Sequence, residues 1–388
     1  MRIFLLSLSL LFLSGCNATQ MQTQLEEEKK LQEISLGQKL FFDTLLSKNG
    51  NQSCSTCHNP EHGFVDTRDN GVNGAASLGD DLKSIGDRNA PTASYAMFSP
   101  SFHYDVKKKA YVGGEFLDGR AHTLKAQAGG PPTNPIEMAI PSKVFMAQRL
   151  KNDVIYNATF KKIYGDAIFK DPEKTYEKMT QAIALFESTK EFAPFDSKYD
   201  RYLNDEYDLS PLEDLGRTLF FSNNNNNCAS CHVLKKEDAA RETFTNYRYH
   251  NIGVPSNHAL MKKNVVDANT FIDHGLLNNP AITDKKYDGK FKVPTLRNIA
   301  VTGPYMHNGV FAKLSTVVEF YDKYVNKERT LNPETGKKWV DAEVKVGKED
   351  IKLLRETKAL SEKKVKALVA FMNLLTDKKY EHLIKENN

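Results

Sequence analysis

Asn51–Val65 reads NQSCSTCHNPEHGFV and holds a Cys-x-x-Cys-His unit, Cys54 to His58. A second unit, Cys228-Ala229-Ser230-Cys231-His232, follows with 174 positions between the two first cysteines. This spacing is the attachment pattern of c-type haem: two thiols add to two vinyl groups, and the adjacent His sits beneath the iron as an axial ligand. Zinc is the competing reading, since Cys and His also hold zinc. Zinc pairs, however, stand roughly 15–20 residues apart, far closer than these. Two identical units therefore predict two covalently bound haem c groups, on Cys54, Cys57, His58 and on Cys228, Cys231, His232.

Working outward, the chain holds five cysteines, and the remaining one, Cys16, closes the opening MRIFLLSLSLLFLSGC. The apolar run from Ile3 to Phe12 is too short for a membrane span, which needs roughly 20 residues, so it reads as a secretory signal. Its Leu13-Ser14-Gly15-Cys16 ending resembles a bacterial lipobox, with Cys16 the acylated residue; an ordinary signal peptide or an uncleaved anchor are the alternatives. The expected address is periplasmic and lipid-anchored, with the outer membrane favoured over the inner. No cysteine is left for a disulfide, although an oxidising compartment would permit one.

Each haem unit follows a similar string, LGQKLFF at Leu36–Phe42 and LGRTLFF at Leu215–Phe221. Both carry the i, i+3, i+4 apolar spacing of a short amphipathic helix. Thr175–Phe192 and Ser361–Asp377 repeat that period, and strand patterns are scarce. About 370 residues past the signal are more than one compact core usually holds. The expected fold is mainly α: two cytochrome c-type haem domains with long irregular loops around the inter-haem interface. The expected boundaries are 1–15 for the signal, 16–33 for a polar tether or exposed helix, 34–205 for the N-terminal haem domain and 206–388 for the C-terminal one. Gly113–Ser142 is punctuated by Gly and Pro too often for regular structure. Long irregular segments tend to be functional, which makes this one the expected wall of a pocket over the first haem.

The strings RNAPT (Arg88–Thr92), FLDGRAHTLKAQAGGPPTNPIEM (Phe116–Met138), FDSKYDRYL (Phe195–Leu203) and FKVPTLRNIAVTGPYMHNG (Phe291–Gly309) resemble the bacterial dihaem cytochrome c peroxidase family, including its MauG-like branch. The resemblance implies that the N-terminal haem meets hydrogen peroxide and the C-terminal haem exchanges electrons. Glu137 matches the acid/base residue that shuttles a proton between the two peroxide oxygens, work a carboxylate can do; on its residues alone the preferred reading is a helix-cap carboxylate. Gln127 matches a polar residue of the same pocket. Asn89, Thr302 and Pro304 match a calcium site between the haems, and hard oxygen donors suit calcium.

Three positions depart from the family pattern. Where peroxidases of the family carry a haem-capping His, this chain has Ser77-Leu78-Gly79-Asp80, and His62 is too near His58 to reach the opposite face; the first haem is expected to be open. Where electron-transferring relatives have a Met, fourteen positions past His307, this chain has Tyr321, a recognised haem ligand and the MauG-like choice, with Met306 the alternative. Where both branches carry an inter-haem Trp, this chain has Leu117, so transfer either tunnels without a stepping stone, is rerouted by a neighbour such as Phe116 or Tyr111, or is weakly coupled. The sole tryptophan, Trp339, stands in a Lys-rich stretch, GKKWVDAEVKVGK, that reads as a surface insertion.

The expected function is thus peroxide-dependent oxidation of a small redox protein (cytochrome or cupredoxin) or of a protein substrate. The alternative is a non-enzymatic dihaem electron carrier, which the open first haem and the QAGGPPTNPIEM string disfavour. With 53 Lys and Arg against 49 Asp and Glu, nothing suggests nucleic acid.

Overall fold

The computed structural model describes residues 6–222, 227–234, 241–264 and 271–385, and within 6–19 the backbone alone. The lipidation expected at Cys16, the first five residues of the signal and most of the Asn-rich loop before Cys228 lie outside what is described.

Among the described residues the chain is mainly α. The helices are α1 (Leu6–Phe42), α2 (Cys54–Cys57), α3 (Leu124–Ala128), α4 (Lys143–Asn152), α5 (Val154–Tyr164), α6 (Pro172–Glu187), α7 (Lys198–Leu203), α8 (Pro211–Phe220), α9 (Cys228–Cys231), α10 (His258–Lys263), α11 (Leu314–Asp322), α12 (Lys348–Arg355) and α13 (Glu362–Asn373). Two antiparallel pairs complete it, β1 (His103–Asp105) with β2 (Ala110–Val112), and β3 (Tyr249–His250) with β4 (Phe291–Lys292). LGQKLFF is not a short helix but the end of α1, a 37-residue helix that includes the expected tether. The tether is therefore an exposed helix.

Two cores carry the mass. In the first, Leu36, Leu40 and Phe41 of α1 pack on Met179, Ala182, Ile183 and Phe186 of α6, with α4 and α5 closing the side. In the second, Leu219 and Phe220 of α8 pack on Val365, Leu368, Phe371 and Met372 of α13, under Leu314, Val318 and Phe320 of α11. Each buried Phe or Leu contributes about 1.5–3 kcal/mol of transfer free energy.

The two crossings have the same construction. A Cβ on Gly37 would lie 1.9 Å from the Ala182 carbonyl oxygen, and one on Gly216 would lie 1.9 Å from that of Ala367. Each helix pair is thus in backbone contact at the glycine of its LG-x-x-LFF string. Only glycine fits there, and Phe41 on Phe186 or Phe220 on Phe371 fills the flank, with centroids 5.5 and 4.9 Å apart. The packing changes allegiance between Phe192, in the first core, and Tyr199, in the second.

Irregular segments join the halves. Gly113 N–H donates to Tyr247 O and Lys292 N–H to Leu117 O, both at 2.9 Å. Arg88 bridges Asp118 at 2.7 Å and Asp273 at 2.6 Å. Arg297, 0 % exposed, holds Asp200 through both carboxylate oxygens at 2.6 and 3.0 Å.

Two expectations need amendment. The stretch around Trp339 does lie at the surface, but its ring does not simply face solvent: it packs edge-on against Phe311 and Phe320 at 5.8 Å and its indole N–H donates to Arg329 O at 2.9 Å. The lysines around it hid two aromatic partners. Tyr111 lies in a separate small cluster, stacked on Phe102 at 5.2 Å, so it does not substitute at the position of Leu117.

Candidate functional site

A cavity of about 380 Å³ opens beside α9, within the roughly 300–1,000 Å³ range of cofactor pockets. Cys228, Cys231 and His232 form one wall; Tyr321 and Met306 also line it, as do Leu117 and Phe116. The single turn of α9 sets the first wall, because His232 N–H donates to Cys228 O at 2.9 Å and so folds the His back beside the cysteines. The His232 Nδ1 lies 2.8 Å from Phe244 O. A carbonyl only accepts, so Nδ1 carries the proton and Nε2 keeps a free lone pair, the arrangement of an oriented metal ligand. Burial drives the imidazole pKa down to about 4 and the Cys228 thiol up to about 12.

Tyr321 has 37 % of its surface exposed, yet that surface lines the cavity rather than bulk water. Burial first, and then the neighbouring Cys231 and Cys228, hold its hydroxyl well above the ordinary phenol range. Anionic ligation by Tyr321 therefore requires a metal cation's charge beside it. Met306, in a left-handed conformation with φ 75°, shares the wall.

The first unit repeats the clasp. Ser53 N–H donates to Thr56 Oγ1 at 2.9 Å, starting α2, and His58 N–H donates to Cys54 O at 2.9 Å. His58 Nδ1 lies 3.2 Å from Phe64 O, and Phe64 is fixed by stacking on Phe192 at 4.3 Å. Burial lowers His58 and raises Cys57 to about 11, with Arg68 Nη2 3.3 Å from the Cys57 sulfur. Four thiols in two neutral-His clasps, one of them on an apolar cavity, fit two haem c groups.

Gly113–Ser142 is not wholly irregular, since α3 and a 3-10 turn at Pro131–Thr133 lie within it, but the rest runs as loops, and its Glu137 end packs near the first unit. Tyr176 Oη donates to Gly129 O at 2.9 Å, and Gln127 O, at the end of α3, accepts from Gly130 N–H at 2.9 Å. Glu137 is pinned by its carbonyl, which accepts from Gln52 Nε2 at 2.6 Å and Asp80 N–H at 2.7 Å. Its carboxylate accepts from Asn134 Nδ2 at 2.9 Å, and burial raises its pKa, against the opposing pull of Arg120. Glu137 is within electrostatic reach of Cys57. Neither Glu137 nor Gln127 lines the cavity beside α9.

Asp80, 1 % exposed, is spent elsewhere: its two carboxylate oxygens accept from Asn49 N–H at 2.6 Å and Asn51 N–H at 3.1 Å. It anchors the loop that leads to Cys54 and offers no ligand to a neighbouring metal. His62 remains in the turn after His58, with its N–H on Asn59 O at 3.0 Å.

Asn89, Thr302 and Pro304 all line the cavity beside α9. The Asn89 amide nitrogen donates towards Gly74 O and Ala75 O at 3.3 and 3.4 Å, which leaves its Oδ1 as an acceptor. Among the described residues no cluster of three His, Cys, Asp or Glu is placed to hold a metal ion. A cation here would rest on amide and carbonyl oxygens, as calcium tolerates.

Sequence reading missed His250, Asp350 and Glu187. His250 and Asp350 line the α9 cavity, with His250 Nδ1 2.9 Å from Asp350 Oδ1. Burial opposes the imidazolium charge, but Asp350 and Cys231 hold its pKa up at about 9. Glu187, at the end of α6, is buried with one carboxylate oxygen unpartnered, and burial followed by Glu115 pushes it up to about 8. A hundred positions separate His250 from Asp350, and no local pattern announces either.

Residues 31–208 match the family description "Di-haem cytochrome c peroxidase". The chain is 46% identical over 356 residues to the methylamine utilization protein MauG of Paracoccus denitrificans (strain Pd 1222), covering 91% of this chain and 90% of that one. It is 32% identical over 292 residues to the cytochrome c551 peroxidase of Nitrosomonas europaea, covering 73% and 71%. The crystal structure of the diheme peroxidase BthA from Burkholderia thailandensis E264 matches with a TM-score of 0.80 at 29% identity, covering 91% of this chain and 88% of that one.

Proposed function

Because the chain belongs to the di-haem cytochrome c peroxidase family, and is MauG-like within it, we propose that this oxidoreductase reduces hydrogen peroxide at a haem c on Cys54, Cys57 and His58. A second haem c on Cys228, Cys231 and His232 then exchanges electrons with a small redox protein or a protein substrate. Residues 34–205 and 206–388 would form the two haem domains.

The observation that carries this reading is the repeated clasp. In each Cys-x-x-Cys-His unit the His Nδ1 is held by a backbone carbonyl and burial keeps the ring neutral, with Nε2 free. When bound, the haems supply the redox chemistry by which peroxide is reduced. The chain orients and protonates. Glu137, steered by Asn134, takes a proton from the near oxygen of peroxide and returns it to the far one, so that the second oxygen leaves as water. Gln127 donates a hydrogen bond within the same pocket. Asp80, its oxygens engaged by two backbone amides, would not serve as a ligand at the first unit, and Tyr321 would be available as a ligand to a haem held at the second.

Asn89, Thr302 and Pro304 would hold calcium between the haems, and Cys16 would anchor the protein by a lipid on the periplasmic side, in the outer membrane rather than the inner. No helix among the described residues is long and apolar enough to cross a membrane. A pure electron carrier would need both haems saturated, and Asp80, with both carboxylate oxygens taken by amides, would not supply the missing ligand to the first.

Low-temperature EPR on the fully ferric protein tests the reading. One high-spin and one low-spin signal are expected, with loss of the high-spin signal on adding peroxide. Two low-spin signals, unresponsive to peroxide, would point instead to the carrier.

A further inference from the structure

We infer that Trp339 is an electron relay between the α9 cavity and a docking surface for a small acidic redox protein, an inference that rests on the peroxidase reading above. The cavity side begins at Tyr321, whose ring is 6.0 Å from that of Phe320. Phe320 is 0 % exposed and stands 5.8 Å from the Trp339 ring. Two ring-to-ring steps therefore cross from the cavity wall to the only indole in the chain, through a dry phenyl that bridges without being oxidised itself. Tyr324 sits 6.1 Å from the same phenyl and adds a second oxidisable ring. Leu117, also on the cavity wall, offers only an aliphatic chain, which carries no hole.

The outer end of the path meets solvent. Trp339 is half-buried and pinned by its N–H to Arg329 O, while Val340 beside it is 53% exposed and Leu331 50%. Leu331 pairs with Lys338, and Glu334 accepts from the Ala312 and Lys313 amides, so the turn is clipped over the start of α11. Lys313, Lys337 and Lys338 are exposed on it. Apolar contact bordered by lysines fits an acidic partner, which such a field also steers. Lys323 Nζ lies 5.4 Å from the Trp339 ring; a cation there makes the oxidised indole costly, so the indole carries charge briefly rather than storing it.

The balance is simple. Each hydrogen peroxide takes two electrons and two protons to become two waters. The electrons arrive one at a time: Trp339 loses one towards Tyr321 and regains one from the docked donor, which is oxidised by one electron. The Arg329 carbonyl cannot take the indole proton, so it stays on nitrogen throughout.

The test uses the full chain with both haems attached, and reduced plastocyanin, an acidic cupredoxin, as donor. Trp339→Phe should lower kcat for peroxide-driven plastocyanin oxidation at least tenfold, and Trp339→Tyr should restore part of it, which a packing role would not require. Lys337→Glu with Lys338→Glu should raise KM about tenfold at low salt and converge on wild type at high salt, as screened charges do. Without donor, peroxide should leave oxygenated Trp339 in peptide mass maps. Wild-type kcat in Trp339→Phe, or an unmodified Trp339, overturns the relay. A wild type that reacts with peroxide but ignores plastocyanin overturns the acidic partner. A haem Soret band unmoved by peroxide defeats the peroxidase reading and the relay with it.

Discussion

Replacing Glu137 by Gln isolates the proposed proton shuttle from the fold that carries it. The two bonds that fix residue 137 in place, from Gln52 Nε2 and Asp80 N–H, go to its backbone carbonyl. The Asn134 amide can donate to a Gln Oε1 as it does to the carboxylate. Shape, position and the nearest hydrogen bond are therefore retained, and what is lost is the ability to take and return a proton. Positioned acid/base groups contribute about 10²–10⁴-fold, or about 3–5 kcal/mol of barrier. The bimolecular rate of peroxide with the first haem, followed by stopped-flow in the Soret band, should fall by that factor. A pH signature accompanies it. Burial raises the Glu137 pKa, so its ionised, proton-accepting form is lost as pH falls from a point above the ordinary carboxylate range. Wild-type kcat/KM should show that acid limb and the variant should lack it. A variant within threefold of wild type, with the limb unchanged and both haems attached, would refute the assignment.

Gly216→Ala places a methyl 1.9 Å from Ala367 O and should cost at least about 1–3 kcal/mol, the scale of overpacking, seen as a lower urea midpoint; Gly37→Ala should behave alike. Asp200→Ala strands the fully buried Arg297 guanidinium; a loss of about 3–5 kcal/mol is expected from an unpaired buried charge, and a change under 1 kcal/mol in chemical denaturation would contradict it. Glu187→Gln probes linkage. Its folded pKa, about 8, lies above the ordinary 4.5, so the native state holds a proton the unfolded chain has released. Stability should fall as pH rises between those values and level off above about 8, and the Gln variant should lose that slope in urea titrations at pH 5, 7 and 9.

What could be read from the sequence was local. Both Cys-x-x-Cys-His units and both LG-x-x-LFF strings are contiguous and their spacing is dictated by one turn of backbone; each is helical where expected, although LGQKLFF ends a 37-residue helix rather than forming a short one. The reason for glycine in those helices was not legible, since it lies in a carbonyl on a helix well over a hundred residues away. Asp80 could be seen to be a poor ligand, but not that its oxygens secure Asn49 and Asn51. The packing of Trp339 was missed because flanking lysines report solvent contact along the chain, whereas Phe311 and Phe320 reach it across the fold. His250 and Asp350 escaped for the same reason: nothing nearby in sequence marks a residue whose importance is a shared wall.

The matched crossings bear on how such a protein can change. One cradle has been built twice, each with a glycine where two helices touch and each with a His tethered to a backbone carbonyl, while the features that set the halves apart sit off those crossings: Asp80 and Glu137 on loops of one half, Tyr321 on the outer helix of the other. Mutation can rewrite one copy's chemistry without disturbing either cradle's frame. A chain organised in this way can let its copies specialise, one as the reactive partner and the other as its supply, because the scaffold does not record which is which.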